Sequence, residues 1–170
     1  MILAIDVHYR ETYAKAVGVL FEWKDSKPQQ TIIEYINDIE DYIPGEFYKR
    51  ELPCLLKIIE QVEINTLEAI IIDGYIYVDN EYGLGLGGHL YQNLNQKLSI
   101  IGVAKTSFFT NKETVIPIIR GNSKNSLFIS SIGYPLQDAA KNILDMQGEY
   151  RIPSVLKELD QITKDDTVDK

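Results

Sequence analysis

The chain has 170 residues, enough for one compact domain with a substantial core. At 45% hydrophobic and 25% charged it reads as a soluble globular sequence; no apolar run approaches a membrane span and no signal peptide opens it, so a cytoplasmic location is expected. The formal net charge of −8 argues against a general, backbone-driven nucleic-acid binder, which needs many Lys and Arg against phosphates, but leaves room for a metal-dependent site. The single cysteine, Cys54, rules out an internal disulfide, and no Cys/His cluster suggests zinc.

Residues 2–8 are rich in aliphatics and read as a strand, followed by strands at 14–23 and 30–36. Short connections between them predict an antiparallel meander. After the turn Tyr42-Ile43-Pro44-Gly45, the spacing of Leu52, Leu55, Leu56, Ile59 and Val62 predicts a helix over 48–62. Pro53 is tolerated there if it lies in the first turn, and Cys54 is expected as a buried packing thiol. The aliphatic run 67–72 reads as a central strand buried on both faces, ending at Asp73-Gly74. A helix over 84–94 uses Gly85, Gly87 and Gly88 for close packing in preference to phosphate binding, because the stretch lacks a preceding strand and a Lys-Ser/Thr pair. A second buried strand over 98–104 completes a parallel crossover. Shorter strands follow at 115–119 and 126–130, then helices at 136–146 and 153–162, with 163–170 expected to be a frayed tail. No repeat or linker divides the chain, so residues 1–170 are expected to be a single domain. This order is a mixed-sheet α/β fold with three antiparallel strands followed by parallel strands and flanking helices. It is compatible with a ribonuclease H-like three-layer arrangement, although the pattern also permits other three-layer sandwiches.

Three acids stand out. Asp6 interrupts an apolar strand, where an unpartnered carboxylate costs several kcal/mol. Asp73 ends the central strand, at the edge where α/β proteins place ligands. Glu51 lies near the start of the helix after the Tyr-Ile-Pro-Gly turn. Delivered to one sheet edge, the three would hold a hard divalent cation and support hydrolysis of a phosphodiester. Lys105, after the strand ending at Ala104, would add a positive charge at that edge. Each acid taken alone is also compatible with ordinary strand or turn capping. His8, close to Asp6, is expected to point away from it.

These stretches together resemble the endonuclease V family, inosine-directed nucleases of the ribonuclease H-like superfamily. The matching segments are ILAIDVHY at 2–9, YIPGEFYKRELPCLL at 42–56, IIIDG at 70–74, GLGLGGHL at 83–90, IGVAK at 101–105, LFIS at 127–130 and YRIP at 150–153. The resemblance implies that Asp6, Glu51 and Asp73 are catalytic metal-binding acids, that Lys105 works near the scissile phosphate, and that the ion is Mg²⁺, with Mn²⁺ as the alternative. It makes Tyr42, Ile43, Pro44 and Gly45 a wedge beside the lesion, with Gly45, Gly74 and His89 near a pocket for a flipped base; His89 is read first as packing support. A stiff plug and a snug pocket are what base flipping requires. DNA or RNA is the implied partner. The sequence departs from the family in several places. The basic run after Asp73-Gly74 becomes Tyr75 to Tyr82, with Asp79 and Glu81 among tyrosines, and the late histidine motif reads Gly133-Tyr134-Pro135, with Asp138 following as an acid that could enter the site. The first predicted strand begins at residue 2, so the family's amino-terminal extension is expected to be missing. A non-catalytic binding module and a hydrolase of a smaller phosphate compound therefore stay open beside the nuclease.

Overall fold

The computed structural model describes residues 1–39, 41–106 and 109–165. It begins with the antiparallel meander β1 (Ile2–Tyr9), β2 (Ala14–Phe21) and β3 (Gln30–Ile36). Helix α1 (Phe47–Ile59) leads to β4 (Ala69–Asp73), helix α2 (Leu86–Asn93) and β5 (Ser99–Ala104). β4 runs parallel to β1, and β5 parallel to β4. The short β6 (Ile116–Ile118) and β7 (Leu127–Ile132) add an antiparallel edge, followed by α3 (Leu136–Asp145) and α4 (Ser154–Lys164). The seven strands lie in the order β3-β2-β1-β4-β5-β7-β6, a ribonuclease H-like mixed sheet between two helical layers.

Alternation along the central strands builds both layers. Ile2 and Ala4 of β1 pack with Ile71 and Ile101 against Ile143 and Leu159 of α3 and α4. Leu3 and Ile5 pack with Ile70 and Ile72 against Leu55 and Leu90 of α1 and α2. This double burial explains the near-continuous aliphatic runs. Gly87 lets α2 lie close to β4 and the chain just after it: a Cβ there would come within 3.1 Å of Ile72 Cδ1 and 2.4 Å of Ile76 Cδ1. Cys54 is a free, buried thiol in the same layer, as expected. Among the described residues no helix is long and apolar enough to cross a membrane.

Four local expectations fail for identifiable reasons. Pro53 is the seventh residue of α1, well past the first turn, and sits on its exposed side. The buried stripe of α1 is Glu51, Cys54, Leu55, Ile58 and Ile59, rotated from the predicted set, so Leu52 and Leu56 are only half-buried. Glu51 thereby heads a stripe at i, i+3, i+4, i+7 and i+8. Residues 163 and 164 belong to α4, and Thr163 is buried, so the frayed tail does not begin there; residues 166–170 lie outside the described residues. Finally, residues 6 and 8 are an i, i+2 pair on an unbroken strand, so His8 shares the face of Asp6.

A buried arginine fixes the approach to α4. The Arg120 guanidinium donates to the carbonyls of Leu144, Met146, Gly148, Tyr150 and Arg151. Arg151 in turn donates to the carbonyls of Lys105 and Ser126, tying the α3–α4 connection to the ends of β5 and β7.

Candidate active site

The carboxyl ends of β1, β4 and β5 meet α4 around a cavity of about 130 Å³. Asp6, Asp73, Lys105 and Asp160 line it above an aliphatic floor that includes Val103, Leu127 and Leu156. Each polar group arrives on a different element. Asp6 comes from β1, Asp73 from the last position of β4, Lys105 from the residue after β5, and Asp160 from α4. Glu51, 6% exposed, approaches from α1 in the opposite helical layer.

Asp6 Oδ1 accepts the Val7 N–H at 3.0 Å. Its Oδ2 lies 3.3 Å from the Thr163 hydroxyl, which is closer to the Asp160 carbonyl at 2.7 Å. Burial, then the negative charge of Asp73, pushes the Asp6 carboxyl up to about 6, against the smaller opposing effect of the Val7 hydrogen bond. Burial also pushes Glu51 up to about 8, with Asp6 and Asp73 adding to it and Arg50 opposing. Asp73 reaches solvent at the rim, yet the crowded protein around it still raises its carboxyl; Lys105 opposes that rise and Asp160 adds to it. Asp160 is itself paired with Lys164 at 3.0 Å.

The acids therefore feel one another's charge. Among the described residues no three His, Cys, Asp or Glu side chains stand as a ready-made ligand cluster. The donor chemistry nevertheless suits a hard dication. All the donors are carboxylate oxygens, and a cation would relieve both their burial and their mutual repulsion.

The remaining predicted residues lie around this cavity rather than in it. Pro44 and Gly45 form a tight turn closed by the Glu46 N–H to the Ile43 carbonyl at 2.9 Å. Gly45 adopts φ +82, the left-handed conformation that favours glycine after proline in such a turn. Tyr42 is 57% exposed, and Ile43 also faces solvent. Tyr42 borders a second, polar hollow with Arg10, Asn37 and Arg50. Gly74 donates its N–H to the Val103 carbonyl at 3.2 Å, bonding the chain just past Asp73 to β5. His89 stacks on Tyr48 of α1 with ring centroids 3.6 Å apart. Tyr134 and Asp138 are not at the site. Tyr134 accepts from Asn142 and neighbours Trp23 and Glu68, at the opposite end of the sheet, and Asp138 is exposed on the first turn of α3 beside it. The acid that enters the cavity is Asp160. It was not among the acids that stood out in the sequence, and the one signal that could have found it is its place on the helix following the YRIP stretch.

The family model for endonuclease V matches residues 1–142. No curated protein matches the chain by sequence. Among solved structures, human endonuclease V shares 20% identity at a TM-score of 0.73, covering 96% of this chain and 82% of its own. The Ciona intestinalis endonuclease V, solved with a 24mer DNA containing an inosine followed by a ribo-adenosine, shares 17% at a TM-score of 0.79, covering 99% of this chain and 86% of its own. The Bacillus subtilis endonuclease V shares 18% at 0.72, covering 95% of this chain and 77% of its own. With a family model spanning well over half of its residues, the chain belongs to the endonuclease V family.

Proposed function

We propose that this chain, acting as a single domain over residues 1–170, is a divalent-metal-dependent endonuclease that hydrolyses phosphodiester bonds in DNA or RNA at or near deaminated bases such as inosine. The observation that carries the reading is the convergence of Asp6, Glu51, Asp73, Asp160 and Lys105, from five elements, on one end of the sheet. The Ciona relative solved with inosine-containing DNA supports the choice of lesion.

Asp6, Glu51 and Asp73 are the groups to hold the ion, with Asp160 beside Asp6 and Asp73. When bound, Mg²⁺ or Mn²⁺ supplies charge neutralisation at the phosphate and acidifies an attacking water. The Lys105 ammonium, at the rim beside Asp73, binds a non-bridging phosphate oxygen and positions the strand. Asp160, kept in register by α4, is placed to orient or accept a proton from the water. The exposed Tyr42 on its rigid turn fills the gap left by an extruded base, and the backbone of Gly45 and Gly74 leaves room for that base, with His89 and Tyr48 as a stacked wall.

The test is cleavage of labelled single- and double-stranded DNA and RNA, with and without one inosine, in Mg²⁺ and Mn²⁺. Wild type should cut near the inosine. Asp73→Asn and Asp160→Asn should lose at least about 100-fold in rate while keeping the wild-type circular dichroism spectrum, the scale of losing a charge-stabilising catalytic group. Cleavage by Asp73→Asn at the wild-type rate would show that the site is wrong. No cleavage by folded wild type would favour a binding module or a smaller phosphate substrate.

A further inference from the structure

The segment that replaces the family's basic run is an organised hairpin. Tyr77 and Leu84 form an antiparallel bridge, and the Val78 N–H donates to the Gly83 carbonyl at 2.9 Å. At the tip, Asp79 Oδ1 accepts from the N–H groups of Glu81 and Gly83, each at 2.9 Å. The 3₁₀ segment Phe109–Thr114, which follows Lys105, braces it from outside. Glu113 N–H donates to Asn80 Oδ1 at 2.8 Å, the Thr110 hydroxyl to the Val78 carbonyl at 3.2 Å, and the Asn111 amide to the Tyr77 carbonyl at 3.3 Å.

On this braced tip Tyr82 adopts φ +65, a conformation in which a bulky side chain is strained and glycine or asparagine is the low-cost choice. Its ring is 65% exposed and packs edge-on against Tyr77, with centroids 5.1 Å apart at 89°. Core packing therefore does not explain a tyrosine here. The hairpin leaves β4 just after Asp73 and is braced by the segment after Lys105, so it stands at the edge of the sheet that carries the acids.

We propose that the 77–84 hairpin is a stacking site for an unpaired nucleobase, with the Tyr82 ring as its platform. The inference rests on the nuclease reading above and narrows its substrate class to strands with accessible bases. A base inside a duplex already has both faces stacked, whereas an unpaired base offers a face to an exposed aromatic ring. The charges favour a base over a phosphate as the occupant. Asp79 and Glu81 flank the tip, and the whole chain carries −8, so a contact with little dependence on ion pairing suits this surface.

Binding of a fluorescent single-stranded oligo(dA), of the same strand annealed to its complement, and of an abasic strand of equal length, all in EDTA to prevent cleavage, tests the proposal. Wild type should prefer oligo(dA) to the other two. Tyr82→Gly relieves the backbone strain, so it should melt no lower than wild type while binding oligo(dA) about 5- to 100-fold more weakly, the range for loss of one stacked base. Tyr82→Trp should retain binding. Oligo(dA) binding by Tyr82→Gly within about twofold of wild type would overturn the proposal, as would equal wild-type affinity for the abasic strand. If wild type still cleaves nucleic acid in those cases, the stacking site alone is wrong. If wild type neither binds nor cleaves any strand, the nuclease reading fails with it.

Discussion

Replacing Arg120 tests how α4, and with it Asp160, is held in place. Arg120 is 4% exposed, and burial lowers its pKa from the ordinary value without an acidic partner being responsible. Its compensation comes from backbone carbonyls: Met146 at 2.6 Å, Tyr150 at 2.6 Å and Gly148 at 3.2 Å form the closest set. Arg120→Met keeps most of the volume but removes every donor. Each orphaned buried acceptor costs ~1–3 kcal/mol, and carbonyls near the surface recover part of this from water. Three at the lower end give a loss of about 3 kcal/mol, a large share of the ~5–15 kcal/mol typical of a folded domain. For a chain of this size that is roughly 6–12 °C in Tm. Arg120→Lys retains the charge and three donors but not the planar fork, so about half of the loss is expected. Urea melts followed by Trp23 fluorescence and by circular dichroism give both values. Early proteolytic nicking within 146–153 would be the accompanying sign of a released connection. If Arg120→Met lies within ~0.5 kcal/mol of wild type, as surface substitutions do, the carbonyls are solvated without the guanidinium and the bracing argument fails.

The raised acids set a pH dependence for the metal-free protein. Glu51 is pushed from 4.5 to about 8, so between those values the folded state binds more protons than the unfolded state, and stability falls as pH rises. The loss is of the order of a few kcal/mol, with Asp6 contributing at lower pH, from 3.8 to about 6. Thermal melts in EDTA should give a higher Tm at pH 5 than at pH 8, and Glu51→Gln should flatten the slope; a rising profile, or one that Glu51→Gln leaves unchanged, would contradict it. Gly102→Ala probes the link between β5 and Asp73. Its Cβ would stand 2.5 Å from the Gly74 carbonyl oxygen and 2.7 Å from Ser130 Oγ, so the strand ends must shift. A loss of ~1–3 kcal/mol is expected, together with weaker Mn²⁺ binding by calorimetry; wild-type values for both would show that this end of the sheet yields more easily than its packing implies.

Much of the architecture was legible in the sequence because its strands and helices differ in hydrophobic period. The runs at 2–8, 67–72 and 98–104 gave the buried central strands, and short connections gave the meander. Asp6 and Asp73 were legible for the converse reason: a carboxylate at the end of, or within, an aliphatic strand needs a partner. The rotation of α1 was harder to read. Leu52 and Leu56 are as apolar as Leu55 and Ile58, and only the docking of the helix on the sheet decides which of them face inward. Glu51 then became the buried head of the stripe.

The chemistry of single residues and the local period by themselves determined that this is a mixed α/β chain with two strand-borne acids, a helix-borne third and a lysine after a strand. Tertiary structure decided which charges meet. It brought Asp160 into the cavity from α4, far along the chain, and left Tyr134 and Asp138 at the other end of the sheet. It also turned the acidic, tyrosine-rich 77–84 segment into a braced hairpin with a strained, exposed ring. Period reports which face of an element is buried. It does not report where along its length, or against which partner, that element docks, because those depend on contacts between residues more than a hundred positions apart.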